Sequence, residues 1–164
     1  MAEPTIRAAE AEDAAARREV TFRAWQDAYR HIFTPGEIEG LFSQRIPQIA
    51  AWTAHRTARL GGLVAEIEGQ VVGHISLALL DDGDGEVTAL YVDPPYQGME
   101  VGTRLWETGC DVLRFQRCAG VQVWVLERAR AVSFYERRGC MRISEDFYRA
   151  GDHAEKALGY RLAF

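Results

Sequence analysis

The segment Gly85–Trp106, GEVTALYVDPPYQGMEVGTRLW, joins a strand pattern to an amphipathic helix pattern through a short turn. Glu86–Val92 predicts a long strand that Asp93-Pro94-Pro95 ends, and apolar residues at helical spacing then predict a helix over Val101–Arg117. Such a turn directs free backbone N–H groups and the positive end of a helix at a phosphate, and glycines let a ligand approach the backbone closely. Taken alone, the segment is equally compatible with a strand–turn–helix unit that binds no ligand.

The sequence before this segment predicts a short strand, two helices and a hairpin. Hydrophobic spacing predicts a strand over Thr5–Arg7 and a helix from Asp13 to about Ile32. Thr34-Pro35-Gly36-Glu37 opens a second helix, which Pro47 ends or kinks and which resumes over Ile49–Arg59. Strands Leu63–Ile67 and Val71–Leu79 then form a hairpin around the turn Glu68-Gly69-Gln70.

The sequence after it predicts a strand over Val121–Leu126, a helix over Ala129–Arg138 that Gly139 stops, and closing strands Cys140–Asp146 and Ala157–Phe164 with a turn near Gly151. The order β-α-α-β-β-β-α-β-α-β-β predicts a mixed α/β sheet. Because the sequence contains no low-complexity segment, long linker or internal repeat, we expect one domain over residues 1–164.

Composition narrows the class of protein. The net charge of −5 disfavours nucleic-acid binding, and the longest apolar runs, such as Ile75–Leu80, are too short to span a membrane. The start of the chain, MAEPTIRAAEAED, lacks an export signal, so we expect a cytoplasmic protein. Cys110, Cys118 and Cys140 are an odd number without CxxC spacing, which favours reduced thiols over a disulfide or metal site. A single lysine and no asparagine suggest a GC-rich bacterial genome.

Two motifs resemble those of the GNAT superfamily, the acetyl-CoA-dependent N-acetyltransferases. LYVDPPYQGMEVGTRL resembles the coenzyme-A-binding signature Q/R-x-x-G-x-G/A, with Gln97 at the first position and Gly102 at the last. About thirty residues later, RARAVSFYERRG resembles the second motif, with Phe134-Tyr135-Glu136 followed by Gly139. The predicted element order is also similar across nearly the whole chain. The resemblance implies a mixed, mostly antiparallel sheet of about six to seven strands flanked by about four helices.

The resemblance also implies a mechanism. An amine attacks the thioester of acetyl-CoA directly, a base takes its proton, and a general acid assists the departing thiolate. The strand ending at Val92 and the strand Val121–Leu126 would splay apart around the pantetheine arm. The implied cofactor-binding residues are Leu90, Tyr91, Val92, Gln97, Gly98, Met99, Glu100, Val101, Gly102, Thr103, Arg104 and Arg128. We expect no metal.

Tyr135 takes the position of the general acid in this resemblance, and Glu86 a position where some members place the base. Each also has a structural interpretation, Tyr135 as a core aromatic and Glu86 as a solvated acid at a strand edge. The implied acceptor-binding residues are Trp25, Tyr29, His31 and His74. The two aromatics are as well explained as core residues, His74 as a structural histidine, and His31 as a partner of a helix C-terminus. His55 and His153 follow no recognisable pattern.

The sequence departs from both motifs. Glu100 replaces the middle glycine and puts a carboxylate beside the expected pyrophosphate, where two like charges ~4 Å apart cost about 1 kcal/mol even in water. Gln97 adds no positive charge, although Arg104 could compensate, and the Glu100 side chain could instead point to solvent. Arg128 stands where many members have an asparagine.

The sequence alone leaves two main functions open. The first is an N-acetyltransferase that acetylates a primary amine of a small molecule or peptide. The second is a non-catalytic binding or regulatory module of the same fold with weakened coenzyme A binding, and an unrelated ligand-binding α/β domain is a third, weaker interpretation. The expected partner is a small-molecule or peptide amine substrate, with neither nucleic acid nor membrane, and the acceptor is not identified. The sequence leaves the oligomeric state open, and the resemblance makes a homodimer one alternative.

Overall fold

The computed structural model describes residues 2–44, 47, 49 and 56–164. These residues form seven strands and four α-helices in the predicted order. In chain order they are β1 (Thr5–Ala8), α1 (Ala14–Ala28), α2 (Pro35–Gln44), β2 (Arg56–Ile67), β3 (Gln70–Leu80), β4 (Gly85–Val92), α3 (Val101–Phe115), β5 (Gly120–Leu126), α4 (Ala131–Glu136), β6 (Met141–Ala150) and β7 (His153–Ala163).

All seven strands form one sheet in the order β1-β2-β3-β4-β5-β7-β6. Neighbouring strands run antiparallel except β4 and β5, which are parallel. The parallel pair is short, because Gly85–Val87 pair with Val121–Val123 and the two strands separate beyond that point. The sheet is therefore split in its middle, and the predicted mixed, mostly antiparallel α/β architecture is confirmed.

Helices cover both faces of the sheet. On β3, an added Cβ at Gly73 would contact Val101 and Leu105 of α3, whereas the neighbouring His74 lies against Thr21 of α1. Since successive strand residues face opposite sides, α1 and α3 pack on opposite faces. The start of α2 is fixed as predicted, because Thr34 N–H donates to Glu37 Oε2 at 2.8 Å and Glu37 N–H donates to Thr34 Oγ1 at 3.2 Å.

Two predicted helix bounds are wrong. The second helix does not continue to Arg59, because Arg56–Arg59 belong to strand β2. The long β3 strand provides a hydrogen-bonding partner as far as Leu80, and this tertiary pairing overrides the local helical pattern. Residues 45, 46, 48 and 50–55, with His55 among them, lie outside the described part. Helix α1 ends at Ala28, four residues before the predicted bound, because Tyr29 leaves the helical conformation with φ −114° and ψ 10°.

Close contact between β4 and α3 gives a first prediction. A Cβ at Gly85 would lie 2.4 Å from Leu113 Cδ2, and Leu113 is fully buried. We expect Gly85→Ala to lower the free energy of unfolding by about 1–3 kcal/mol through overpacking. The control is Gly40→Ala in α2, where no atom lies within 4 Å and alanine should stabilise the helix by about 0.5–1 kcal/mol. Urea denaturation measures both, and equal stability of the two variants would contradict the packing argument.

Candidate active site

A cavity of about 500 Å³ opens where β4 and β5 separate. It brings together many of the residues predicted from sequence: Tyr29, Leu90, Tyr91, Val92, Gln97, Gly98, Glu100, Val101, Gly102, Thr103 and Tyr135. The wall also contains residues to which the sequence assigned no role: Ala24, Ala28, Ala129, Arg130, Ala131, Phe134, Arg137 and Arg138. The end of β4, the turn, the start of α3 and one face of α4 therefore line the same cavity.

The turn before α3 brings two left-handed residues and the start of the helix to the cavity. Gly98 and Glu100 both adopt the left-handed region, with φ of 77° and 62°, and Glu100 caps the helix. The first-turn N–H groups that follow have no carbonyl partner within the helix and lie at its positive end. Glu100 is exposed, and a non-glycine residue in this conformation costs about 1–2 kcal/mol. Its backbone conformation explains why a glycine would be favoured at this position.

Tyr135, on α4, lines the same cavity. Its side chain is buried, and its ring packs edge-on against Trp106 at 5.4 Å and Phe134 at 5.2 Å. Burial, with smaller contributions from Tyr91 and Cys140, raises the pKa of the Tyr135 phenol well above its usual range. The hydroxyl therefore stays protonated at neutral pH and is able to donate a proton.

Ala24 and Ala28 of α1 and Tyr29, which directly follows the helix, line another part of the cavity. Trp25 is fully buried, and its Nε1–H donates to the Tyr91 hydroxyl at 3.0 Å. Tyr29, which lines the cavity, packs edge-on against Trp25 at 4.6 Å. Of the four predicted acceptor-binding residues, Tyr29 lines this cavity, whereas Trp25 packs behind it and supports Tyr91.

The two histidines predicted to bind the acceptor substrate instead make hydrogen bonds within the protein. His74 is buried on β3 with Nε2 2.7 Å from Thr21 Oγ1, and burial lowers its pKa to about 3. Thr21 donates its own hydrogen to the Arg17 carbonyl, so the neutral His74 ring donates through Nε2. His31 is exposed and donates from Nε2 to the Arg128 carbonyl at 2.7 Å. Neither ring belongs to the cavity wall as described.

Glu86 lies near the bottom of the split and is 1% exposed. The register with Ala78 places it on the same face of the sheet as α1. Its carboxylate accepts from Arg56, with Oε2 2.6 Å from Nε and Oε1 3.2 Å from an Nη atom. The carboxylate is therefore paired, and it does not line the described cavity.

Three of the predicted cofactor-binding side chains also lie away from the described cavity wall. Met99 is partly buried against the hydrophobic core. Arg104 has its nearest carboxylate at Glu3, 3.9 Å away. Arg128 pairs with Glu155, with Nε–Oε2 and Nη2–Oε1 distances of 3.2 and 2.5 Å.

A hydrogen-bond network centred on His153 connects elements that surround the cavity. His153 Nδ1 lies 3.0 Å from Glu37 Oε1, and Nε2 lies 2.7 Å from Glu155 Oε1. Both neighbours are hydrogen-bond acceptors, so only the protonated ring satisfies both contacts. The hydrogen bonds to Glu155 and Glu37 accordingly raise the pKa of His153. Through Arg128 and His31, the network ties the α1–α2 connection to β7 and to the loop before α4.

The described residues contain neither a metal-ligand cluster nor a membrane-spanning helix. No group of three or more His, Cys, Asp or Glu in this part of the chain is arranged to hold a metal ion. None of the helices in residues 2–44 and 56–164 combines the length and the apolar character that a membrane span requires.

Comparisons with known proteins agree with this geometry. The sequence model of the acetyltransferase (GNAT) family matches residues 21–140, which include β4, the turn, α3 and α4. A search of curated protein sequences found no match.

Several solved structures share the fold. A GCN5-related N-acetyltransferase from Rhodopseudomonas palustris superposes with a TM-score of 0.76 at 18% identity, over 100% of this chain and 98% of that one. The ribosomal-protein-S18-alanine N-acetyltransferase from Escherichia coli gives 0.69 at 22% identity, over 98% and 93%. A GNAT family acetyltransferase from Brucella melitensis, solved in complex with acetyl-CoA, gives 0.60 at 24% identity, over 100% and 90%.

The His153 network gives a pH prediction. Because the folded-state pKa of His153 is raised, its contribution to stability is complete below about pH 6.5, the pKa of an unfolded histidine. That contribution is lost as the pH rises through the higher folded-state pKa. We therefore expect the difference in unfolding free energy between the wild type and His153→Gln to be largest near pH 6 and to shrink by pH 9. Urea denaturation at both pH values measures it, and a difference independent of pH would contradict the protonated bridge.

Proposed function

Given that the chain belongs to the acetyltransferase (GNAT) family, we propose that it transfers an acetyl group from acetyl-CoA to a primary amine of a small molecule or peptide, and that residues 1–164 act as one domain. One observation supports this proposal above the others. A single cavity joins the positive end of α3 to the buried phenol of Tyr135 through the split in the sheet. Acetyl transfer from acetyl-CoA would need both features: the helix end for the phosphates, and the phenol as a proton donor for the departing thiolate.

The proposed cofactor site uses backbone more than side chains. Among the described residues, no strand pairs with the β5-facing edge of β4 beyond Val87, so the backbone groups of Leu90–Val92 on that edge would bond pantetheine amides as they would an added strand. The first-turn N–H groups of α3 would hold the pyrophosphate. Structural relatives solved with acetyl-CoA or coenzyme A are consistent with this assignment.

The chemistry is a direct transfer. The amine nitrogen attacks the thioester carbonyl carbon, the C–N bond forms, and the C–S bond then breaks as the intermediate collapses. Tyr135 gives its proton to the departing thiolate. Glu86 is the proposed base and takes the amine proton through a water.

A second candidate function is a binding module without turnover. Glu100 favours it, because a carboxylate stands at the helix end where the cofactor phosphates would lie. The same assay separates the two candidates. Purified protein is incubated with acetyl-CoA and a panel of small-molecule and N-terminal peptide amines, and the released thiol is measured. Amine-dependent thiol release supports the transferase, whereas saturable acetyl-CoA binding without release from any amine supports the module.

Tyr135→Phe tests the general acid. We expect kcat to fall about 10²–10⁴-fold with little change in acetyl-CoA affinity, because only the donated proton is removed. Tyr160→Phe is the matched control, since this buried tyrosine donates to Glu136 at 2.8 Å and is not part of the cavity wall as described. An unchanged kcat in Tyr135→Phe would exclude the proposed acid.

Gly102→Ala tests the cofactor cradle. The new Cβ would lie 3.6 Å from Phe134 and Val92, which is ordinary contact, so the fold should tolerate it. The methyl group would occupy the space where a ligand approaches the backbone, and we expect acetyl-CoA affinity to fall about tenfold or more, a loss of about 1.4 kcal/mol. Calorimetric titration measures the affinity, with Gly40→Ala as the control. Unchanged affinity in a folded Gly102→Ala variant would place the phosphates elsewhere.

A further inference from the structure

We infer that Arg138 binds the pyrophosphate of coenzyme A and supplies the positive charge that the turn before α3 lacks. The inference rests on the proposed function, because it assigns a further residue to the same cofactor site. It also explains how the site can tolerate Glu100.

The turn itself carries an unfavourable charge for a phosphate ligand. Gln97 is neutral, and its Nε2–H donates to the Val92 carbonyl at 3.0 Å. Glu100 adds a negative charge at the N-cap. Arg104, which follows in the first turn, lies outside the described cavity wall. A cation that adds to the backbone N–H groups in binding a diphosphate would therefore come from another element.

Arg138 lies just after α4 and points to the start of α3. Its Nη2–H donates to Thr103 Oγ1 at 2.5 Å, and its Nη1–H donates to the Phe134 carbonyl at 2.8 Å. The guanidinium carbon lies 3.4 Å from the centre of the Phe134 ring, a stacked cation–π contact. These three contacts hold the cation beside the first-turn N–H groups of α3.

The same contacts leave Arg138 able to bind an anion. Two of its five N–H groups are used, and in the part of the chain that the structure describes no carboxylate pairs with it. Thr103 accepts from Arg138, so the Thr103 hydroxyl hydrogen is free to donate to a phosphate oxygen. Partial burial, together with Arg137, lowers the pKa of Arg138, which is the signature of a cation that an added anion would stabilise.

The other arginines near the cavity have partners or lack this contact. Arg130 pairs with Asp27 at 2.7 Å, and Arg128 pairs with Glu155. Arg137 also lines the cavity, but among the described residues it makes no hydrogen bond to the first turn of α3. Arg138 is therefore the cation that the fold fixes at the phosphate end.

Three ligands identify the group that Arg138 binds: coenzyme A, dephospho-coenzyme A, which keeps the pyrophosphate but lacks the 3′-phosphate, and pantetheine, which lacks both. We expect Arg138→Ala to weaken binding of the first two about ten- to a hundredfold and to leave pantetheine unchanged in calorimetric titration. Arg114→Ala is the matched control, since Arg114 is exposed at the far end of α3 and pairs with Asp111. This control should bind all three ligands as the wild type does.

Each other outcome has a distinct meaning. An equal loss for all three ligands would show a structural role and overturn the inference. A loss for coenzyme A alone would assign Arg138 to the 3′-phosphate, which also overturns it. Wild-type protein that binds none of the ligands would overturn the proposed function itself. If Arg138→Ala does not fold, Arg138→Lys should keep most of the affinity that Arg138→Gln loses, and equal affinities of these two variants would overturn the inference.

A double-mutant cycle tests the link to Glu100. If Arg138 offsets the Glu100 carboxylate, Glu100→Gly should tighten coenzyme A binding more in the Arg138→Ala background than in the wild type. An equal gain in both backgrounds would overturn the link.

Discussion

The separation of β4 from β5 after three residue pairs is the constraint on which the rest of the site depends. Its local cause is a bulge: Ser76 pairs with Ala89 and Leu77 with Val87, so Thr88 is an extra residue that bends β4 where its pairing with β5 ends. A strand edge inside a sheet has backbone groups that need partners. The split therefore creates both the cavity and the hydrogen-bonding edge for an extended ligand.

Each element around the split contributes a different feature to the cavity. Helix α3 faces the cavity with its positive end, and α4 contributes Tyr135 and, at its end, Arg138. On the face of the sheet that α1 covers, Trp25 donates a hydrogen bond to Tyr91. The pairs Asp27–Arg130 and His31–Arg128 connect α1 and the α1–α2 connection to the residues before α4. Charge at the cofactor end therefore depends on tertiary contacts between α3 and α4 and cannot be judged from the turn alone.

Local patterns predicted the order of the elements, and the resemblance to the GNAT motifs predicted many of the residues that line the cavity. Period-2 and period-3.6 patterns gave the element order, and the left-handed φ of 77° at Gly98 and 83° at Gly139 shows why glycine stands there. Contacts distant in sequence were not predictable. His153 meets Glu37 across 116 positions and Arg138 meets Thr103 across 35, and no local pattern marks either pair. The strand at Arg56–Arg59 was missed for the same reason, because pairing with β3 decides it.

Calorimetric titration of acetyl-CoA into the purified wild-type protein at moderate salt tests the central claim most directly. The account predicts one saturable site with Kd on the order of micromolar, a binding free energy of about −8 kcal/mol. That result would mean that the split sheet and the α3–α4 cradle bind the cofactor despite Glu100. The absence of binding up to roughly millimolar acetyl-CoA, weaker than about −4 kcal/mol, would contradict the account and leave the cavity without its proposed ligand.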